Sequence, residues 1–325
     1  MVESLGPFKT ALPAAGPLAA DAGSFLVTGS DATLIKAGPS FKATLVPVAS
    51  PGALRLTLIT TGGVDFTVDW GDGSPITYSS GTVSPGVVPT GDVIVETEST
   101  NITAFRIVDN QIKTCSIIGG ANLKSLGNTC TNKTAIESFT IDSGVNITSL
   151  NQAFSGASGL TIFTVTDSDL SSATNFSSAF RGSALTSFGN YNLDSIDNAI
   201  SAWRDTAITS FPAIDLSSAT SLRESWEGCT SLTSFGGYDF GACTNFIDTF
   251  RGCTSVTTIG NLQTEAGTNF AGMFLGCSAL TTIGALDTTS TVGASSGMFT
   301  GCTSLTSPNS ATQTDLADSD GADFN

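Results

Sequence analysis

The sequence predicts a mainly β protein in which an extended N-terminal arm and a small antiparallel β-sandwich precede a solenoid of stacked repeats. Three observations support this prediction. A short phrase recurs at a near-constant spacing through the second half of the chain, alternating segments with glycine-rich turns occupy residues 52–108, and residues 1–50 are rich in alanine, glycine and proline. We assign residues 1–50 to the arm, 51–110 to the sandwich, 111–150 to degenerate capping repeats, 151–307 to the solenoid and 308–325 to an acidic polar tail.

Each repeat begins with an aromatic residue, here called the anchor, and continues as in WEGCTSLTSF. The anchors lie 23 to 26 residues apart and are Phe154, Phe180, Trp203, Trp226, Phe250, Phe274 and Phe299. A period near 24 falls within the range of about 20–29 residues that is typical of leucine-rich repeats. Because one unit cannot bury its own apolar face whereas stacked units can, the pattern predicts a leucine-rich-repeat-like solenoid with the anchors in its core.

Four cysteines occupy one position of the repeat, three residues after an anchor: Cys229, Cys253, Cys277 and Cys302. Earlier repeats carry Ala157, Ser183 and Thr206 there. A position that accepts Cys, Ala, Ser or Thr requires small volume, so we expect a buried column; a metal chain or inter-repeat disulfides are the alternatives. Cys115, Cys130 and Cys243 are out of phase, and we expect them to be buried as well.

These residues resemble the BspA-type leucine-rich repeats, in which an aromatic residue is followed by Gly-Cys and then by Leu-Thr-x-Ile. The resemblance covers about residues 150–307 and is weakest at 196–205, where Asp205 and Thr206 replace Gly and Cys. It implies surface-displayed binding of the kind found in bacterial adhesins and phage-encoded proteins, and it does not imply catalysis.

Residues 68–74, VDWGDGS, resemble the WGDGS motif of polycystic-kidney-disease-type (PKD) domains. That resemblance implies an immunoglobulin-like sandwich in an extracellular or virion protein. Asp69 and Asp72 suit a calcium ion, but we favour a turn in which aspartate accepts backbone N–H groups and glycine supplies a positive φ. A paired-carboxylate glycosidase site at the same residues has no other support.

Composition argues against several functions. The chain has 28 acidic and 12 basic residues and a net charge of −16, so it lacks the basic surface that nucleic-acid binding requires. It has no histidine, which is the side chain most often used for general acid–base catalysis and for binding transition metals. We therefore expect no enzyme activity, no cofactor and no metal. No apolar stretch is long enough to insert into a membrane, and the N-terminal residues lack the basic start and apolar core of a secretion signal.

The residue after the anchor is charged in several repeats: Arg181, Arg204, Glu227 and Arg251. If the repeats stack in register, Arg204, Glu227 and Arg251 are neighbours on one face. This row is either a surface salt-bridge ladder or a ligand-binding stripe. Trp203 and Trp226 occupy anchor positions, so we interpret them as packing residues and not as sugar platforms.

Residues 22–34 resemble a GSF-x-(V/L)-TG-x-DATL phrase found near the start of many phage structural proteins. With the other two resemblances, it implies a non-enzymatic fibre, appendage or capsid decoration on the exterior of a tailed-phage virion, assembled in the host cytoplasm. The arm would bind other virion proteins, copies would self-associate, and the repeats would bind a host receptor. A bacterial surface adhesin is the alternative, although one should carry an export signal; a carbohydrate-active enzyme has no segment left for a catalytic domain.

Overall fold

The computed structural model describes the backbone of residues 25–28 and 33–36 and, in full, residues 41–305 except 50–51, 53, 61–63, 80, 85–87, 98–101, 120–122, 143–144, 168 and 289–294. These residues are mainly β and contain no helix. Residues 1–24 of the predicted arm and the predicted tail 308–325 lie outside them. The strands are β1 (Phe25–Thr28), β2 (Thr33–Lys36), β3 (Phe41–Pro47), β4 (Leu56–Thr60), β5 (Phe66–Asp69), β6 (Ile76–Tyr78), β7 (Gly81–Val83), β8 (Val93–Thr97), β9 (Ile102–Ile107), β10 (Ile112–Gly119), β11 (Ser138–Ile141), β12 (Ile162–Val165), β13 (Ser234–Phe235), β14 (Tyr238–Asp239), β15 (Thr258–Ile259), β16 (Leu262–Gln263) and β17 (Thr282–Ile283).

Two sheets build the N-terminal unit, which we define as β3 to β10. One sheet has the order β12-β11-β10-β3-β8-β5-β6 and the other has the order β7-β4-β9. The rings of Phe41 in β3 and Phe105 in β9 lie 6.0 Å apart, so the inner faces of the two sheets pack against each other. Both side chains are fully buried, as the alternation of apolar and polar residues along these strands requires.

Strand β3 falls within residues 1–50, which the sequence assigns to the arm. The structure instead places it in the middle of the larger sheet, antiparallel to both β8 and β10. Its sequence, FKATLVP, alternates so that Phe41, Ala43 and Leu45 are buried while the residues between them are partly exposed. This segment therefore belongs to the core of the N-terminal unit.

The larger sheet continues from the N-terminal unit into the solenoid. Strand β10 pairs antiparallel with β3 on one side and parallel with β11 on the other, and β11 pairs parallel with β12. The smaller sheet continues in the same way, because Ala104 of β9 forms a parallel bridge to Ser125. The first turn of the solenoid thus lies directly on the N-terminal unit through both sheets.

The solenoid consists of stacked coils, each coil being one repeat of the chain, and its strands span residues 114–283. Strands β13, β15 and β17 pair parallel and in register, as do β14 and β16. The segments before the anchors, for which the sequence allows turns or short helices, are turns. Inside, anchor rings stack face to face: centroids lie 5.3 Å apart for Trp203 and Trp226 and 5.5 Å apart for Phe250 and Phe274, with planes within 10°.

Candidate binding surface

The chain reverses around each anchor through two residues in the left-handed backbone region. The first lies two positions before the anchor and the second two positions after it. The later position is glycine in most coils, including Gly228 and Gly252, both with φ of 71°. The earlier position has non-glycine residues in several coils, including Ser201 (φ 53°), Glu224 (φ 58°) and Asp248 (φ 53°), so a glycine pattern in the sequence does not identify it.

Asp205 takes the place of glycine at the later position, with φ of 56°. Its carboxylate rests on Gly228 of the next coil, where an added Cβ would overlap Oδ1 of Asp205. Asp248 rests on Gly272 in the same manner. A polar side chain in one coil therefore fills the space that a glycine leaves in the next.

The predicted charged row lies along this turn. Nη1 of Arg204 lies 3.0 Å from Oε2 of Glu227, so these two residues form the expected contact. Arg251 is exposed and makes its ion pair with Asp248, at 3.6 Å, rather than completing a ladder with Glu227. Arg181 is exposed on an earlier coil.

The sequence analysis did not identify Glu224. Arg204 forms salt bridges with both Glu224 and Glu227. Oγ of Ser201 also donates a hydrogen bond to Oε2 of Glu224, at 3.0 Å, and Arg223 pairs with its other oxygen at 2.9 Å. Glu224 lies two residues before its anchor, as Asp248 does 24 residues later, so the repeat period is the signal that identifies this acidic column. We call Arg204, Glu224 and Glu227 the charged cluster.

The two glutamates of the cluster have opposite electrostatic environments. Burial raises the pKa of Glu227, and the nearby charges of Glu224 and Asp248 add to this effect, so that Arg204 only partly opposes it. Burial also acts to raise the pKa of Glu224, but the hydrogen bond from Ser201 and the charges of Arg204 and Arg223 bring it below its usual value. Glu224 is therefore the more firmly ionised partner of Arg204.

The cysteine column lies inside the same turn. Sγ of Cys229 donates to the carbonyl oxygen of Trp203 and Sγ of Cys253 to that of Trp226, each at 3.1 Å; Cys277 and Cys302 repeat the contact one coil further on. All seven cysteines are unpaired and buried. Burial raises the pKa of Cys229 and of Cys302 to about 11, so these thiols stay protonated at neutral pH.

The VDWGDGS segment forms a tight turn. Oδ1 of Asp69 accepts hydrogen bonds from the backbone N–H groups of Gly71, Asp72 and Gly73, at 2.8, 3.2 and 3.1 Å. Gly71 and Gly73 have positive φ, of 92° and 76°. These contacts are those of the turn interpretation, and the described residues contain no group of three or more side chains able to hold a metal ion.

Two shallow cavities of about 300 and 330 Å³ lie at equivalent positions between coils, one lined by Asp167 and Asp169 and the other by Asp215 and Asp239. Oδ1 of Asp169 accepts the N–H of Ser171 at 2.9 Å. Asp215 and Asp239 make the same bond to the residue two positions later. These aspartates therefore shape the backbone turn that borders each cavity.

Comparison with known proteins gives one partial match. A family model described as "Mycoplasma protein of unknown function, DUF285" matches residues 220–321, which is under a third of the chain and includes the later coils of the solenoid. No curated protein and no solved structure matches the chain. Among the described residues, no helix is long and apolar enough to cross a membrane.

Proposed function

We propose that this chain is a non-enzymatic structural and adhesive component of a tailed-phage virion, exposed on the particle exterior, whose solenoid binds the host surface. The observation that carries the proposal is the unbroken pairing of both N-terminal sheets with the solenoid. An adhesive appendage needs a stiff connection between its attachment point and its binding surface, and a continuous sheet supplies one. The N-terminal residues bind other virion proteins in this proposal.

The finer assignment of the two units belongs to the same proposal. We infer that the N-terminal unit is a PKD-like sandwich, supported by Trp70, which is buried and donates its indole N–H to the hydroxyl of Tyr78 at 3.0 Å. We infer that the solenoid is of the BspA leucine-rich type, supported by the stacked anchors and the cysteine column.

The binding surface in this proposal is the row after the anchors. Arg181 and Arg251 are exposed there, whereas Arg204 is occupied by Glu224 and Glu227. The two exposed guanidinium groups are therefore the ones that can contact an anionic or hydroxyl-bearing receptor without breaking the charged cluster.

A bacterial surface adhesin is the second candidate. It is favoured by the partial match to a family that is described as a Mycoplasma protein. The first candidate places the solenoid on a phage particle, and the second places it on the surface of a bacterial cell.

Mass spectrometry of purified phage particles and of the host cell envelope separates the two candidates. We expect the chain in particles at a fixed stoichiometry; its presence in the envelope and absence from particles would establish the adhesin instead. For the surface, particles carrying Arg181→Glu with Arg251→Glu should bind host cells at least tenfold less. Arg106→Glu, an exposed arginine of β9, is the matched control and should leave binding unchanged.

A further inference from the structure

In the described part of the chain, the free edges of the two N-terminal sheets are both on the side remote from the solenoid. The larger sheet ends at β6 and the smaller sheet ends at β7. These two strands follow each other closely along the chain. Ile76 of β6 is 47% exposed, and Thr77 is exposed as well. An exposed edge strand presents unpaired N–H and C=O groups that can accept a further strand.

The hairpin of β1 and β2 is a strand pair without a sheet. Phe25 lies opposite Lys36 and Thr28 opposite Thr33, and within the described part of the chain neither strand pairs with a third. A two-stranded hairpin alone is marginally stable in water, whereas three or more strands are stable. The hairpin therefore needs a sheet edge.

The hairpin does not reach the β6 edge of its own chain. Five residue steps separate Lys36 from Phe41, which allows at most about 17 Å. A strand added beyond β6 lies four strand spacings, about 19 Å, from β3. Phe41 pairs with Thr97 of β8, and Tyr78 pairs with Phe66 at the same end of the sheet, so the connection would have to span this full distance. Within the described residues, the hairpin and β6 accordingly do not pair with each other.

We propose that the hairpin of one copy adds to the β6 edge of a second copy, so that chains associate by strand addition through the N-terminal unit. Backbone hydrogen bonds would supply the affinity, as in other strand additions. Reciprocal exchange closes a two-fold dimer, and one-way addition builds a longer assembly. This proposal specifies the contact between copies and does not depend on what the solenoid binds.

The test uses the full chain and measures its mass by light scattering over a range of concentrations. The backbone N–H groups of successive residues in a strand point to opposite sides of the strand. Of the two variants Ile76→Pro and Thr77→Pro, one therefore removes an N–H that points away from β5, towards the free edge, and the other removes a hydrogen bond to β5. The outward proline is the one that leaves the melting temperature unchanged. We expect the unmodified chain to associate and this variant to associate at least tenfold more weakly.

Two further full-chain variants complete the test. Val27→Pro, within the hairpin, should weaken association as strongly as the outward proline, while Thr82→Pro, on the equally free edge strand β7, is the matched control and should retain it. The proposal is overturned if the unmodified chain is monomeric at every concentration, if the outward proline leaves the mass unchanged, or if Val27→Pro has no effect. Presence or absence of the chain in virions bears only on the proposed function.

Discussion

Left-handed backbone positions make the side chains of neighbouring coils depend on each other. Gly228 and Gly252 occupy the same position of successive coils and share a φ of 71°. They differ in what lies beneath: the carboxylate of Asp205 covers Gly228, whereas Gly252 has only backbone atoms of Gly228, at 3.9 Å. Alanine substitutions at these two glycines therefore separate two free-energy costs: that of a Cβ in the left-handed region and that of steric overlap with a neighbouring side chain.

We predict that Gly228→Ala lowers the free energy of unfolding more than Gly252→Ala does. Both variants place a Cβ in the left-handed region, at a cost of about 1–2 kcal/mol, but only Gly228→Ala also collides with Asp205. Urea unfolding followed by circular dichroism measures both. In the Asp205→Gly background, Gly228→Ala should cost no more than Gly252→Ala costs in the parent, and an equal loss in the two single variants would contradict the overlap argument.

Ser221 interrupts a column of asparagines on another edge of the coils. Oδ1 of Asn198 accepts the N–H of Ile200 at 3.0 Å, and Oδ1 of Asn245 accepts that of Ile247 at 3.1 Å. Ser221 occupies the same position in the coil between them, and its buried Oγ has no hydrogen-bond partner. Ser125 and Ser149, earlier in the same column, accept the N–H two residues further on at 3.0 and 3.3 Å, so Ser221 is the serine of this column that does not make the bond.

We predict that Ser221→Asn stabilises the protein by about 0.5–1.5 kcal/mol, the net value of one hydrogen bond. Its amide oxygen would accept the N–H of Arg223, two residues further on, as the neighbouring asparagines do. The reverse change, Asn245→Ser, is the control and should destabilise by a similar amount. A loss of stability in Ser221→Asn, seen as a lower melting temperature, would refute the prediction.

The charged cluster contains two carboxyls whose pKa values shift on folding, so it makes the stability of the protein depend on pH. Glu224 and Glu227 lie three residues apart and share Arg204, yet the pKa of Glu224 is lowered and that of Glu227 is raised. A carboxyl whose pKa falls on folding stabilises the protein above its unfolded pKa, and one whose pKa rises stabilises it below that value. Ionisation of Glu224 therefore favours the folded state, whereas ionisation of Glu227 disfavours it.

We predict that Glu224→Gln lowers the free energy of unfolding at pH 7 and that this loss disappears as the pH falls below the usual Glu value of about 4.5. Glu227→Gln should leave stability at pH 7 equal or higher, because the amide avoids burying a charge, and its advantage should vanish as Glu227 of the parent becomes protonated. Urea unfolding between about pH 3.5 and pH 8 measures both. Parallel pH profiles for the two variants would contradict the assignment.

The repeat phrase predicts the mainly β solenoid because the core of a solenoid comes from residues at one position of successive coils. The repeat phrase does not identify Cys130 as a member of the anchor column. Cys130 lies 24 residues before Phe154, and its N–H donates a hydrogen bond to the carbonyl of Ala153, so it occupies the anchor position of its coil. The prediction that Cys130 is buried is confirmed. Its position in the column was missed because a thiol replaces the aromatic ring there.

Strand β3 was missed for a different reason. Its partners, β8 and β10, lie some fifty to seventy residues further along the chain, and alternation alone does not say which strands pair. The charged cluster was predicted in part, because the contact of Arg204 with Glu227 follows from the period. Glu224 was missed because the predicted row used only the position after the anchor; the period also brings together Glu224 and Asp248, two residues before their anchors, but their residue types do not indicate the left-handed backbone that turns Glu224 towards Arg204.

Both N-terminal sheets run into the solenoid, so the two units share one hydrogen-bonded framework. Ile117 of β10 is fully buried and lies between Ala43 of β3 and Ile141 of β11, at the point where antiparallel pairing changes to parallel. Unfolding either unit would expose this residue and leave a sheet edge unpaired. We therefore expect the N-terminal unit and the solenoid to unfold together.

The three tryptophans of the chain test this expectation, because Trp70 reports on the N-terminal unit and Trp203 and Trp226 report on the solenoid. Trp70→Phe leaves only the solenoid reporters, and Trp203→Phe with Trp226→Phe leaves only Trp70; phenylalanine already fills the same anchor position in neighbouring coils. We predict that adding Ile117→Ala, at a cost of about 2–5 kcal/mol, lowers the urea midpoint by the same amount in both backgrounds. If only the Trp70 signal moved, the two units would unfold independently despite their shared sheets.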